Sequence, residues 1–243
     1  MKRLMGIGLA VVGLLTVDGG RWTVSPALAA ATVSGSVKFD GAAPQPEKLK
    51  MNADPVCQQQ HAEPVYSEKV VVNDNGTLRN VVIYVKEGLS GQTFPAPTEP
   101  AVIDQHGCQY SPHVTVVQVN QPLEIRNSDS TLHNVNVKPT KPGNKAFNLA
   151  QPRAGMKAAK QFGEPELMIP FKCNVHPWMG AYLCVVTNPF HAVTGTDGAF
   201  TLANLPAGQY VVEAIHEQYG AQTQNVTVAD GETKTVDFTF KAQ

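Results

Sequence analysis

Residues 173–179 read Cys173-Asn174-Val175-His176-Pro177-Trp178-Met179. The spacing is Cys-x-x-His-x-x-Met. With 4 Cys, 7 His and 6 Met in 243 residues, composition alone predicts about 0.003 such matches, so the pattern carries information. A thiolate, an imidazole and a thioether fall within seven residues. Together with one more imidazole they make a trigonal His₂Cys site with a weak axial Met, which suits copper. Soft sulfur favours Cu(I) and imidazole accepts Cu(II). A rigid compromise lets the ion change oxidation state with little movement. Zinc also accepts Cys and His, but thioether is a poor zinc ligand. A metal-free reading, with a buried Cys and a core Met, needs the motif to be coincidental.

The missing imidazole is upstream. Histidines stand at positions 61, 106, 113, 133, 176, 191 and 216. His133 is the strongest candidate. It follows a strand-like stretch, Leu123-Glu124-Ile125-Arg126-Asn127, and precedes Asn134-Val135-Asn136-Val137. Forty residues separate it from Cys173, enough for two different strands to reach one end of a sandwich. His106 and His113 flank Cys108, and His61 follows Cys57 by four. Surface or hydrogen-bonded histidine is the plainer reading of these, and of His216.

The remaining chain reads as short β-branched runs between turn signals. Val81-Val82-Ile83-Tyr84-Val85 and Val114-Thr115-Val116-Val117-Gln118-Val119 are separated by stretches such as Asn73-Asp74-Asn75-Gly76 and Asn120-Gln121-Pro122. No stretch sustains helical spacing. Residues 152–161 have room for a helical turn or two, against which Gly155 weighs. The expected class is all-β, as sandwich or barrel.

Tyr110-Ser111-Pro112-His113, then Leu123 to Asp129, then His133-Asn134-Val135 and the Cys173–Met179 loop together resemble the cupredoxin pattern. The likeness covers about 90 residues. The loop, with two residues between His and Met, is most similar to amicyanin. The resemblance implies a Greek-key β-sandwich holding one type 1 (blue) copper ion through His133, Cys173, His176 and Met179. It also implies that Asn134 hydrogen-bonds near the thiolate and ties the two ligand loops together. One departure is Asn120 where a Gly turn is common, and Asn tolerates the left-handed conformation.

Thr196-Asp197-Gly198-Ala199-Phe200 and Leu205-Pro206-Ala207-Gly208-Gln209-Tyr210 resemble the carboxypeptidase regulatory-like family, a small prealbumin-like β-sandwich. These are turn-and-strand signals with no chemistry in them. The family's first strand has no counterpart near residue 185. Gly35-Ser36-Val37-Lys38-Phe39-Asp40-Gly41-Ala42-Ala43-Pro44 supplies one. The expected organisation is therefore a signal peptide over 1–29 and an N-terminal β segment over 30–98, forming part of a split module. The copper domain follows over 99–189, and the remainder of the module over 190–243.

Lys2 and Arg3, the apolar run Leu4 to Val17, and Ala27-Leu28-Ala29 read as an export signal cleaved after Ala29. Cleavage moves the formal charge from −1 to −3 by removing Lys2, Arg3, Arg21 and Asp18. That mild acidity gives no footing for nucleic acid. No later segment is long and apolar enough to span a membrane. A periplasmic or secreted location permits a disulfide. Cys57 and Cys108 sit in polar, turn-like settings, whereas Cys184 lies in the strand-like Tyr182-Leu183-Cys184-Val185-Val186. We therefore expect a Cys57–Cys108 bridge and a buried Cys184 thiol.

The expected function is carriage of single electrons between exported redox proteins, a cytochrome or a dehydrogenase. Pro177 and Trp178 would collar the outer edge of His176 as the docking surface. The alternative is a copper-handling or structural interaction protein with no electron-transfer role. An enzyme is not expected, because cupredoxin-based oxidases and reductases need further copper ligands, typically His-x-His, and this chain has none.

Overall fold

From Leu123 to Asn127 the side chains alternate: Leu123, Ile125 and Asn127 are buried, while Glu124 and Arg126 are half-buried. This period of two is what a sheet with one face on a core demands. The computed structural model describes residues 15–18, 21–24 and 29–242. The basic start of the expected export signal and most of its apolar run lie outside the described residues. β1 (Leu15–Asp18) and β2 (Arg21–Val24) pair antiparallel. No helix among the described residues is long and apolar enough to cross a membrane.

The chain is almost all β, in two sandwiches. β3 (Ala31–Asp40) is followed by a 3-10 turn (Met51–Ala53), the short helix α1 (Pro55–Gln59) and β4 (Val82–Glu87). Nine strands come next: β5 (Ala101–His106), β6 (Gln109–Ser111), β7 (Val114–Gln118), β8 (Leu123–Asn127), β9 (His133–Val137), β10 (Phe147–Gln151), β11 (Met156–Lys160), β12 (Glu166–Lys172) and β13 (Gly180–Val186). They form a five-stranded sheet, β10-β9-β12-β13-β7, and a four-stranded sheet, β11-β8-β5-β6. Ile103, Ile125, Val135, Phe171 and Leu183 fill the space between the sheets.

The second sandwich uses both ends of the chain. β14 (His191–Val193), β16 (Gly208–His216) and β17 (Gly220–Val228) form one sheet with β4, in the order β14-β4-β16-β17. β15 (Ala199–Leu205), β18 (Thr233–Thr235) and β19 (Phe238–Lys241) all pair with β3. Gly35 is required here by close approach: a Cβ would stand 1.8 Å from the Val236 carbonyl oxygen. Val33, Val37, Phe200, Val212, Phe238 and Phe240 make this second core. Val82, Tyr84, Val114, Cys184 and Val186 form an apolar seam where the two sandwiches meet.

Two local expectations change. Residues 152–161 hold no helix. Gly155 turns the chain at φ +82°, and β11 then pairs with β8 from Met156↔Asn127 to Lys160↔Leu123. The ladder satisfies the backbone more fully than an isolated turn of helix can. α1 is a helix that hydrophobic spacing does not announce, being only five residues long. Its signal is a cap: the Asp54 carboxylate accepts from the Val56 N–H, and Pro55 opens the first turn. Asn120 adopts the left-handed conformation, φ +65°.

Candidate metal centre

Sheet register brings the site together. β9 and β12 are antiparallel, with Lys172 opposite Asn136. The start of β9 therefore faces the residues just past the end of β12, and these are His133 and Cys173. β12 and β13 pair with Lys172 opposite Gly180, so the loop 173–179 closes on itself. Within it the Met179 N–H donates to the His176 carbonyl (2.9 Å), and the Cys173 N–H to the Met179 carbonyl (3.4 Å). The His176 N–H points at the Cys173 Sγ (3.4 Å).

His133, Cys173 and His176 are all buried, and their donor atoms lie within 4.8 Å of one another. His133 Nδ1 stands 2.9 Å from His176 Nδ1, and that nitrogen is 3.9 Å from the Cys173 Sγ. Met179 is buried in the same loop and the same core. The Oδ1 of Asn134 accepts from the Asn174 N–H (2.6 Å) and from the Cys173 thiol (3.6 Å). It therefore links the strand bearing His133 to the loop bearing Cys173.

Each imidazole turns its other nitrogen to a carboxylate. His133 Nε2 is 2.8 Å from Asp129 Oδ2, and His176 Nε2 is 3.0 Å from Asp54 Oδ2. A ring that donates from Nε2 leaves a lone pair on Nδ1. Two such lone pairs facing each other across 2.9 Å repel, unless a proton or a metal ion takes them up. Without metal, the proton falls to His133. Burial opposes that charge, yet the hydrogen bonds to Asp129 and Cys173 outweigh it and push the pKa up to about 9. Burial likewise opposes the Cys173 thiolate, and hydrogen bonds from His133 and from the backbone of Asn134, His176 and Val175 outweigh it, so the thiol lies below its ordinary value. Burial holds the His176 imidazole low. The donors fit a cation of the copper type: two nitrogens and an easily ionised thiol converge in a dry pocket.

Carboxylates on both imidazoles are what residue-by-residue reading misses. The sole signals were Asp54 before Pro55 and Asp129 after Asn127, both ordinary turn features. Cys57 and Cys108 are joined in a disulfide, and Cys173 and Cys184 are the free thiols among the described residues. Cys57 Sγ lies 3.7 Å from His176 Nε2. The two further metal-like groupings, Asp54/Cys57/His176 and Cys108/Asp129/His133, are accounted for by this bridge and the two carboxylates.

The surroundings of the expected docking collar are wider than the ligand loop. The outer edge of His176 is not framed by Pro177 and Trp178 alone. Asp54 and α1 cover it, leaving His176 2% exposed. Pro177 is exposed. Trp178 is half-buried; its indole N–H donates to the Cys108 carbonyl (3.1 Å) and its ring packs on His176 with centroids 4.9 Å apart. A large indole with a polar handle is held best where both are satisfied. Besides Pro177, Leu132 (41% exposed) and Val175 (44%) bring apolar side chains to solvent here, each next to a histidine of the site. His106 is exposed and its Nδ1 stands 3.9 Å from Asp129. His113 lies elsewhere, against Glu217 and Gly180.

Residues 176–241 match the family described as Carboxypeptidase regulatory-like domain. The match runs through β13, which belongs to the other sandwich, and does not include β3 or β4. No curated protein matches the chain. Among solved structures, the chain is similar to a novel purple cupredoxin from Nitrosopumilus maritimus (23% identity, 35% of this chain and 98% of that one, TM-score 0.30). It is also similar to an amicyanin variant in its reduced state (19%, 42% and 97%, TM-score 0.33). A Cu-containing nitrite reductase from Thermus scotoductus SA-01 gives 18% identity over 42% of this chain and TM-score 0.34. The chain spans 26% of that reductase's length.

Proposed function

We propose that the chain is an exported mononuclear copper protein that carries single electrons between redox partners, with one type 1 ion held by His133, Cys173, His176 and Met179. The observation that carries this reading is the convergence of His133 Nδ1, His176 Nδ1 and the Cys173 thiol in one buried place. When bound, the ion supplies a one-electron couple between Cu(II) and Cu(I). The chain's own residues do the rest. The short closed loop and the β9–β12 register hold the donors in place, so little reorganises when charge changes. Asn134 fixes the distance between the two ligand loops. Phe171 and Met179 pack in the same buried core as Cys173, with Trp178 against it, and keep the site dry.

Burial favours carriage of electrons over carriage of copper as cargo. A chaperone must hand over its ion, and here both imidazoles and the thiol are under cover. Catalysis gains no support from the sequence, which lacks the His-x-His of multicopper centres. The exposed apolar patch for a redox partner would be Leu132, Val175 and Pro177, flanking both histidines. We read residues 31–40 and 82–87 as the first part of the carboxypeptidase regulatory-like module, with the copper sandwich inserted after β4. The test is a visible spectrum of the Cu(II)-loaded protein. An intense thiolate-to-copper band that disappears in Cys173→Ser is expected; a band that survives that substitution overturns the assignment.

A further inference from the structure

We propose that Asp54 and Asp129 are positioning residues for the metal, each fixing one imidazole through Nε2, and that the Cys57–Cys108 disulfide clamps both carboxylates in place. This inference rests on the copper reading above.

Each carboxylate is held from several sides. Asp129 accepts from the Gly107 and Cys108 N–H groups (2.8 Å each), and its side chain is buried. Its own N–H donates to the Asn127 side chain (2.9 Å). Asp54 accepts from the Val56 N–H (2.8 Å) and the Thr131 hydroxyl (2.9 Å). Thr131 lies two residues from Asp129, in the turn leading to His133, so the two carboxylates are braced against the same turn.

The disulfide closes the ring of contacts. Cys57 lies in the helix that Asp54 caps. Cys108 supplies one of the N–H groups that hold Asp129. Fifty-one residues separate the two cysteines, and the bond joins the segment carrying Asp54 to the turn that holds Asp129. The His61 imidazole reaches the Gly107 carbonyl (2.7 Å), and the Trp178 indole donates to the Cys108 carbonyl. The same bridge therefore also braces the ligand loop.

The chemistry follows from charge. A carboxylate accepting from Nε2 fixes the tautomer, points Nδ1 inward and makes the ring a stronger donor. Two anions close behind the donors favour the more highly charged ion. They should hold Cu(II) more tightly and lower the reduction potential. α1 also keeps water from the outer edge of His176.

Asp54→Asn keeps the shape and an acceptor oxygen while removing the charge, at a position on the cap where folding is least at risk. Asp129→Asn does the same at the buried partner, and Cys57→Ser/Cys108→Ser removes the clamp. Two quantities are read on Cu(II)-loaded protein with its visible band in place: affinity by chelator competition, and potential by spectroelectrochemistry. The expected result for Asp54→Asn is a Cu(II) affinity at least about tenfold weaker. Its Cu(II)-to-Cu(I) preference should fall about tenfold, an upward shift of 59 mV for one electron. The double cysteine variant should shift in the same direction, and combining it with Asp54→Asn should add little. Unchanged affinity and potential in Asp54→Asn, with the band intact, overturn this inference alone. Failure of the wild-type chain to give the band overturns the copper reading and this inference with it.

Discussion

The imidazole of His113, just before β7, joins the two sandwiches through the Glu217 carboxylate in the β16–β17 turn. Its Nε2 is hydrogen-bonded to Glu217, and its Nδ1 lies 3.2 Å from the Gly180 carbonyl. Both partners are acceptors, so the protonated ring, with two donors, satisfies both contacts where the neutral ring satisfies one. Burial opposes that charge, but Glu217 outweighs it and the pKa is raised above 6.5. Gly180 follows Met179, so this contact also reaches the end of the ligand loop.

A folded pKa above the unfolded one contributes stability below about pH 6.5 and loses it as pH rises through the folded value. Glu217→Gln should cost about 2 kcal/mol at pH 6 and less as pH rises. Urea unfolding at a series of pH values checks this. An equal cost at pH 6 and pH 9 would sink the ion-pair account.

His216 should act in the opposite direction. Its Nδ1 accepts from the Gln218 N–H (3.1 Å), and its buried Nε2 has no partner among the described residues. Burial holds its pKa down to about 4. Its contribution is complete above about pH 6.5 and is lost as pH falls toward 4, amounting to roughly 3 kcal/mol. His216→Phe preserves an aromatic ring beside Tyr219 and should flatten the acid limb of the melting-temperature profile. An unchanged acid limb would assign the loss to another group.

The Cys57–Cys108 bridge should contribute about 4 kcal/mol by restricting the unfolded chain over its 51-residue separation. Thermal unfolding of Cys57→Ala/Cys108→Ala measures it. Non-reducing peptide mapping should recover this pair, with Cys184 as a free thiol. A mapped Cys184 bridge would contradict the buried thiol seen beside the Met168 N–H.

Deleting residues 30–44 removes β3, and with it the partner of β15, β18 and β19. Hydrogen exchange should quicken over 198–213, while the copper band of the remaining soluble protein stays nearly intact. Unchanged protection there would mean that β3 contributes little to the second sandwich.

Val175→Glu should slow electron self-exchange about tenfold or more, because two like charges then meet at the exposed patch. Spectrum and potential should shift little. Trp178→Glu should instead disturb the spectrum, since its ring packs on His176. A Val175→Glu variant with wild-type self-exchange would move the docking surface elsewhere.

Much of this was legible along the chain. Alternation at Leu123–Asn127 marks a strand with one buried face, and β-branched runs between Gly, Pro and Asn turns mark the all-β class. Cys173, His176 and Met179 are close in sequence, so one seven-residue pattern contains their chemistry. Cys57 and Cys108 were separable from Cys184 because local polarity distinguishes a turn from a core strand. Helix α1 escaped because five residues carry no period, and 152–161 read ambiguously because an isolated segment does not show which strand it will pair with.

The amino-acid sequence by itself determined the residue types, their local spacing and the strand periodicity, because these depend on neighbours within a few positions. Only the tertiary structure decided that Asp54 backs the His176 imidazole, that Trp178 is pinned inward, and that His113 meets Glu217. Those contacts span 122, 70 and 104 residues at their widest. They exist because sheet register and a disulfide bring distant turns together in a water-poor interior. There a polar group left without a partner is costly, and local sequence does not specify which partner it finds.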